Sequence, residues 1–102
     1  MTTTLCLVRH GETPWNVDRR LQGHLDVPLN DHGRIQARAT GAMLNGKHFD
    51  AVYSSDLARA LETARSIAGD TVPTALPALR ERHYGSLQGL TYEEAKQRLP
   101  EA

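Results

Sequence analysis

Apolar and polar positions along the chain predict a short strand followed by helix–strand units. Residues 5–8 are continuously apolar and follow three threonines, a pattern typical of a strand buried on both faces of a parallel sheet. Residues 11–30 are rich in glycine, proline, asparagine and aspartate and show no sustained periodicity. A connection of that length is usually functional or disordered, so we expect a first strand and then a loop worth examining for chemistry.

A first helix is predicted over residues 31–44. Asn30 or Asp31 can cap its start, and Asn45 with Gly46 closes it. Apolar residues recur at helical spacing along it and form its stripe: Ile35, Ala39, Ala42 and Met43.

A second strand over residues 51–53 leads into a second helix over residues 57–68, with Ser54, Ser55 and Asp56 as its capping residues. One face of that helix is apolar and carries Leu57, Leu61, Ala64 and Ala68. The pattern of residues 74–79 predicts a third strand, although Pro73 and Pro77 weaken this prediction because proline cannot donate to a strand ladder. Thr91 and Glu94 have the spacing of a capping box, which opens a last helix that Pro100 ends.

This order of elements is the α/β pattern. It predicts a three-layer sandwich with a mostly parallel sheet and helices on both faces, of which this chain supplies roughly the first half. The 102 residues allow one domain, 1–102, which we expect to be truncated at its C-terminus.

Composition excludes several classes of function. With 12 basic and 12 acidic side chains, the chain lacks the strong positive field that nucleic acids or anionic membranes attract, so neither is an expected partner. Its longest apolar run is far too short to span a membrane, and no secretory signal is present. The single cysteine, Cys6, sits in that apolar run as an expected core residue without a disulfide partner. We therefore expect a cytoplasmic protein.

Charged side chains follow each predicted strand, where ligands of open α/β sheets bind. The first strand leads to Arg9 and His10, the second to Arg59 one turn into its helix, and the third to Glu81 between two arginines. If the three strands are neighbours, these residues converge on one pocket. Its excess of fixed positive charge suits a phosphate group, whose oxygens accept forked hydrogen bonds from guanidinium.

A histidine in such a pocket can do more than bind. Neighbouring cations disfavour the imidazolium, so His10 would stay neutral at pH 7 and keep a nucleophilic lone pair. Attack on phosphorus would give a phosphohistidine, with Glu81 first protonating the leaving oxygen and later deprotonating water. Gly11 would let the backbone approach the phosphate, since it lacks a side chain.

Four ordered blocks resemble the histidine phosphatase superfamily, whose members include phosphoglycerate mutases and many phosphomonoesterases. They cover nearly the whole chain and comprise residues 7–13 with Asn16 and Leu21-Gln22-Gly23, residues 26–30 with Gly33 and Ala37, residues 53–60 with Thr63-Ala64, and residues 79–85 with Leu87-Gln88-Gly89. The resemblance implies a phosphorylated nucleophile at His10, a phosphate clamp of Arg9 and Arg59, and a proton donor at Glu81.

The expected substrate-binding residues, on the same resemblance, are Gly11, Asn16, Gln22, Gly23 and Tyr84. The implied substrate is a small phosphorylated metabolite. Neither a cofactor nor a metal is expected, because the spacing of His10, Glu12, His24 and Asp26 matches no ligand motif.

Two departures from the family pattern leave alternatives open. The family completes its pocket with a second histidine in a later His-Gly block, which none of His24, His32, His48 or His83 matches. Tyr92 stands where mutases carry a substrate-facing lysine, which favours a phosphatase over a mutase. The hypotheses are therefore a phosphomonoester hydrolase, a phosphoglycerate mutase, or an incomplete fragment that only binds phosphate. In the last case an exposed apolar sheet edge would promote a homo-oligomer.

Overall fold

A computed structural model describes residues 2–98 of the chain. Helices alternate with two short strands, in the order α1 (Pro14–Val17), α2 (Asp31–Met43), β1 (Tyr53–Ser54), α3 (Ala58–Ile67), β2 (Thr74–Ala75) and α4 (Tyr92–Arg98). Two 3₁₀ turns, Pro77–Leu79 and Gly85–Leu87, separate β2 from α4. The predicted end of the last helix at Pro100 lies outside the described residues.

The two strands pair in parallel, which confirms the predicted α/β class. Tyr53 lies opposite Thr74 and Ser54 opposite Ala75. The amides of Thr74 and Leu76 donate to the carbonyls of Val52 and Ser54, both at 2.8 Å. The predicted third strand is much shorter than expected, since the proline at position 77 begins a 3₁₀ turn instead.

The predicted first strand over residues 5–8 is wrong for this structure. These residues have no regular secondary structure, and Leu5 and Leu7 are 82% and 92% exposed. Cys6, expected in the core, is also exposed. A strand exists only where a neighbour completes its ladder of hydrogen bonds, and within residues 2–98 none pairs with this segment.

Helix α2 forms where the sequence predicts it, but its apolar stripe does not face the core. Asn30 caps the helix by accepting a hydrogen bond from the Gly33 amide at 2.7 Å. Ile35 and Met43 are 55% and 82% exposed, whereas Gly33 and Ala37 are buried. The helix therefore packs through small residues, because these let its backbone approach its neighbours closely.

Two glycines bring the loop after residue 10 against the start of α2. A Cβ atom on Gly11 would collide with the carbonyl of Gly33, and one on Gly33 would collide with the carbonyl of Glu12. Farther along α2, Gly41 lies equally close to the backbone of Ser66 in α3. The contact of Gly41 and an ion pair of 2.7 Å between Arg34 and Glu62 join α2 to α3.

Helix α3 is capped differently from the prediction. None of Ser54, Ser55 or Asp56 is its N-cap, which is Leu57 without a side-chain hydrogen bond. The first helical amide, that of Ala58, instead donates to Asp26 at 2.7 Å. A cap from a distant loop ties residues 23–26 to the start of α3.

The long connection over residues 11–30 is ordered by pairing with the segment before α4. Its short helix α1 has a capping box formed by Thr13 and Asn16. Farther along, Leu21 exchanges backbone hydrogen bonds with Gly89 and Leu90 at 2.8 and 3.0 Å. The predicted capping box of Thr91 and Glu94 is present at the start of α4. Backbone hydrogen bonds thus join the connection to the segment before α4.

The core of the described residues is small. Its buried apolar members are Val27, Leu29, Ala37, Leu57, Ala64 and Ala68. The Cα radius of gyration is 15.5 Å, against about 13 Å for a compact chain of this length. Among residues 2–98, no helix is long and apolar enough to span a membrane.

Candidate active site

In the part of the chain that the structure describes, one ring nitrogen of His10, Nε2, has no hydrogen-bond partner. Its Nδ1 atom lies 2.6 Å from the carbonyl oxygen of Gly11. A carbonyl oxygen only accepts hydrogen bonds, so Nδ1 carries the proton and Nε2 keeps its lone pair in the neutral ring. That tautomer is the one a nucleophilic histidine needs if it attacks through Nε2.

The pKa of His10 is lowered from its ordinary value. Burial is the largest cause, because it penalises the charged ring, and the positive charges of Arg59 and Arg9 lower the pKa further. The hydrogen bond to Gly11 and the charge of Glu81 act in the opposite direction but do not prevail. The expected direction is therefore found, although burial contributes more than the cations that the sequence indicated.

We predict that His10 titrates below the ordinary histidine value of about 6.5. A ¹⁵N NMR titration of the ring should show a neutral, Nδ1-protonated imidazole at pH 7, with protonation of Nε2 only at lower pH. A His10 midpoint at or above that ordinary value of about 6.5 would contradict the electrostatic account.

Arg59 is the most buried charged side chain of the site, with 1% of its surface exposed. Its guanidinium donates to the carbonyls of Gly23 and Leu25, both at 2.7 Å, and to the Glu81 carboxylate at 2.6 Å. Three of its five N–H groups are thereby used, which leaves two for a bound anion. The arginine therefore both anchors the loop after residue 22 and orients Glu81.

The four predicted catalytic residues lie around one open cleft of about 540 Å³. Arg9, His10, Arg59 and Glu81 all line it. The cleft is lined by the segment of residues 4–10, by strand β1 and by residues along α3 from Arg59 to Ile67. The structure therefore brings together the charges that the sequence places at three separate positions.

Thr63 is a residue whose role sequence reasoning missed. Its hydroxyl is buried, accepts a hydrogen bond from the Gly11 amide at 3.1 Å and donates to the Arg59 carbonyl at 2.8 Å. It thereby fixes the backbone beside His10 to the turn of α3 that carries Arg59. Its position four residues after Arg59, on the same face of a helix, was the available signal.

The predicted substrate-binding residues fall into two groups, and neither lines the large cleft. Gly11 borders a smaller pocket with Arg9, His10 and Thr63. The close approach of Gly33 already requires a glycine at this position, because a Cβ atom there would collide with the Gly33 carbonyl.

Asn16, which lies in α1, and Gln22 form a polar cluster with Thr13. Gln22 accepts from the buried Thr13 hydroxyl at 2.7 Å and Asn16 accepts from the Thr13 amide at 3.0 Å, so in this structure they organise the loop. Gly23 adopts a positive φ of 55°, and a Cβ there would meet Gln88 and Tyr84. Tyr84 also lies under the guanidinium of Arg82, 6.0 Å from its ring centre.

A bidentate ion pair holds the segment that leads to Glu81. Arg80 donates through Nε and Nη2 to both carboxylate oxygens of Asp56, each at 2.6 Å. The hydrogen bonds from Arg80 lower the pKa of Asp56. Arg80, counted from sequence among the possible pocket cations, is thus paired outside the cleft lining.

We predict that Asp56→Asn lowers the free energy of unfolding above pH 5, and that this effect shrinks as the pH falls below about 3.9. A carboxylate whose folded-state pKa is depressed stabilises the fold above its unfolded pKa of about 3.9, and that contribution disappears as the pH falls through the folded-state pKa. Urea unfolding at several pH values measures this. Asp70→Asn, at an exposed position, is the control; equal pH dependence in Asp56→Asn and wild type would refute the prediction.

In the part of the chain from residue 2 to 98, no group of three or more histidine, cysteine or acidic side chains could hold a metal ion. The combination of His10, Glu12, His24 and Asp26 is therefore not brought together. The two carboxylates of this set have other partners: Glu12 accepts from Asn30 at 2.9 Å and Asp26 accepts from the Ala58 amide at 2.7 Å.

A parallel α/β fold with a histidine, two arginines and a glutamate around one cleft at the strand ends has the arrangement of an anion-binding enzyme site. Comparison with known families agrees. Residues 5–102 match the model of the histidine phosphatase superfamily, branch 1, and the chain belongs to that family.

Two curated relatives from Arabidopsis thaliana are similar over almost the whole chain. Phosphoglycerate mutase-like protein 4 is 51% identical over 96% of this chain and 44% of its own length. A metal-independent phosphoserine phosphatase is 47% identical over 98% of this chain and 44% of its own length. The chain thus spans less than half the length of these relatives.

A solved structure gives the same result for the fold. The mycobacterial glucosyl-3-phosphoglycerate phosphatase in complex with VO₃ superposes with a TM-score of 0.85 at 39% identity, over 91% of this chain and 46% of that one.

Proposed function

We propose that this chain carries the nucleophile half of a phosphomonoester hydrolase that works through a phosphohistidine at His10. The observation that carries the proposal is the bare Nε2 of a neutral histidine, held beside Arg59 and Glu81 at one cleft. Family membership and the phosphatases among the relatives support the class of reaction.

The proposed reaction has two steps. In the first, the His10 Nε2 lone pair attacks phosphorus, the bond from phosphorus to the ester oxygen breaks, and Glu81 protonates the leaving alcohol. In the second, Glu81 accepts a proton from water, whose oxygen attacks phosphorus and releases inorganic phosphate and His10. Arg9 and the two unused N–H groups of Arg59 stabilise the charge on the equatorial oxygens.

The proposed substrate is a small phosphorylated metabolite. Relatives named for phosphoserine and glucosyl-3-phosphoglycerate support this size and type of molecule. Gly23 lies in the loop that Arg59 anchors, and Tyr84 lies next to Gly23. We therefore place the organic part of the substrate on the side of that loop. Asn16, Gln22 and Gly11 support the same loop and the nucleophile backbone.

Product analysis tests the proposed activity against the mutase alternative. The chain is incubated separately with phosphoserine and 3-phosphoglycerate, and both inorganic phosphate and phosphoglycerate isomers are quantified. Release of phosphate that requires His10 supports the hydrolase. Isomerised phosphoglycerate without phosphate release would identify a mutase instead.

A second candidate function is phosphate binding without turnover. The observation that favours it is the open cleft beside residues 5–8, whose leucines are almost fully exposed. No second histidine lines that cleft within the described part of the chain. Exposed apolar surface of this kind favours association, so this candidate includes a homo-oligomer.

Sedimentation combined with a phosphate-binding assay distinguishes the two candidates. A monomer that releases phosphate from substrate rules out the binding-only reading. The binding-only candidate predicts that the chain binds vanadate without turnover and self-associates, and that the Leu7→Asp variant is a monomer. The control variant is Ala42→Asp, at an exposed position of α2.

A further inference from the structure

We propose that His24 is the positioning residue for Glu81, the proton donor of the proposed hydrolase. Its ring Nε2 lies 2.9 Å from the backbone carbonyl oxygen of Glu81, across 57 residues of sequence. That oxygen only accepts, so the His24 Nε2 carries the proton and donates it to this bond. The inference rests on the proposed function, because it concerns the acid of that reaction.

The segment that carries Glu81 has little else to hold its backbone. Residues 81–84 belong to no helix or strand. In the described part of the chain, the peptide groups of residues 81–83 make no backbone–backbone hydrogen bond. The bond from His24 is the one that fixes the peptide of Glu81, while Arg59 fixes its carboxylate at 2.6 Å.

His24 is itself held on both sides. Its amide donates to the side chain of Gln88 at 2.8 Å. The carbonyls of its two neighbours, Gly23 and Leu25, accept from Arg59. Arg59, the loop around His24 and Glu81 therefore form a closed ring of contacts, in which each member limits the movement of the others.

A second histidine supports the ring of His24 edge-on. The centres of the His24 and His83 rings are 4.6 Å apart and their planes are inclined by 66°. The His83 Nδ1 accepts a hydrogen bond from the Gly85 amide at 2.8 Å, so the orientation of this ring is also fixed.

The leaving group of the substrate reveals the loss of a positioned acid. An alkyl phosphate such as phosphoserine needs its leaving oxygen protonated, whereas p-nitrophenolate leaves without help. We expect His24→Ala to lower the single-turnover rate of His10 phosphorylation by phosphoserine about 10-fold, within the range that general acid catalysis provides, with little change in that rate for p-nitrophenyl phosphate. The single-turnover rate excludes the second step, in which Glu81 acts as a base for both substrates. His24→Gln, whose amide N–H can replace the ring N–H, should restore most of the loss. His32→Ala is the matched control at an exposed position.

Glu81→Gln separates failure of this inference from failure of the proposed function. It keeps an oxygen for Arg59 but has no proton to give, so it should show the same dependence on leaving group, about 10²-fold or more for phosphoserine. No such dependence in Glu81→Gln would overturn the acid itself. A second outcome is that Glu81→Gln shows the dependence on leaving group, whereas His24→Ala slows the reaction of both substrates equally. That outcome would overturn only the positioning role of His24.

An NMR measurement decides the case in which the chain has no turnover. ¹⁵N relaxation of the Arg82 and His83 amides should show more motion in His24→Ala than in wild type, with recovery in His24→Gln. Unchanged relaxation in His24→Ala would contradict the inference without reference to catalysis.

Discussion

Replacing Arg59 by methionine is expected to destabilise the protein by about 3 kcal/mol or more, because hydrogen bonds from a charged donor to two carbonyls contribute about 1.5–3 kcal/mol each. Methionine keeps much of the apolar stem but none of the donors. The carbonyls of Gly23 and Leu25 then lose their partner, and the Glu81 carboxylate loses its counter-charge. Because the core is small, we expect this loss to abolish the cooperative urea transition.

Two further variants make the Arg59 result interpretable. Arg65→Met removes an exposed arginine from the last turn of the same helix and should leave the urea midpoint unchanged. Arg59→Lys keeps the charge but not the planar fork, so it should fold with reduced stability and bind vanadate weakly. Wild-type stability in Arg59→Met would show that the buried network contributes nothing.

Replacing His10 by alanine is expected to abolish phosphate release from phosphoserine, by at least ~10³-fold, because no other group supplies the attacking lone pair. Within residues 2–98, the hydrogen bond of the ring goes to the carbonyl of its neighbour Gly11, so the fold should survive the change. The measurement is kcat by phosphate release, alongside circular dichroism and the urea midpoint.

The control for the His10 experiment is His48→Ala. His48 is exposed, lies 3.4 Å from Asp50 and does not line the cleft, so its removal should leave phosphate release unchanged. Activity retained in a folded His10→Ala protein would exclude this histidine as the nucleophile. Glu81→Gln should retain phosphorylation from p-nitrophenyl phosphate, which separates the roles of acid and nucleophile.

Local features of the fold could be predicted from sequence because they depend on residues a few positions apart. The Asn30 cap of α2 and the capping box of Thr91 and Glu94 are both found where their spacing predicts them. The parallel pairing of β1 with β2 follows from a helix between two strands, which leaves little other choice of topology.

Features that depend on distant partners could not be predicted in this way. Residues 5–8 have a strand pattern, but pairing depends on a neighbour that the pattern does not specify. The stripe of Ile35 and Met43 marks an apolar face without saying what covers it, and small residues face α3 instead. Asp26 caps α3 from 32 residues away, beyond the reach of any local rule.

The candidate site divides in the same way. Its charged members were found because strand ends of an α/β fold and the family blocks both mark them. The polar contacts that orient them were not: Thr63 and His24 act through backbone atoms of Gly11 and Glu81, and a backbone partner leaves no trace in residue type. Sequence therefore predicts which charged groups meet at the cleft better than it predicts which groups hold them.

The most direct test of the central claim is to trap the phosphorylated protein. The chain is mixed with labelled phosphoserine or p-nitrophenyl phosphate, quenched in base, and digested for mass spectrometry. The account predicts an acid-labile, base-stable phosphoryl group on His10, lost in His10→Ala. A phosphoryl group on any other residue, or one that persists in His10→Ala, would contradict it.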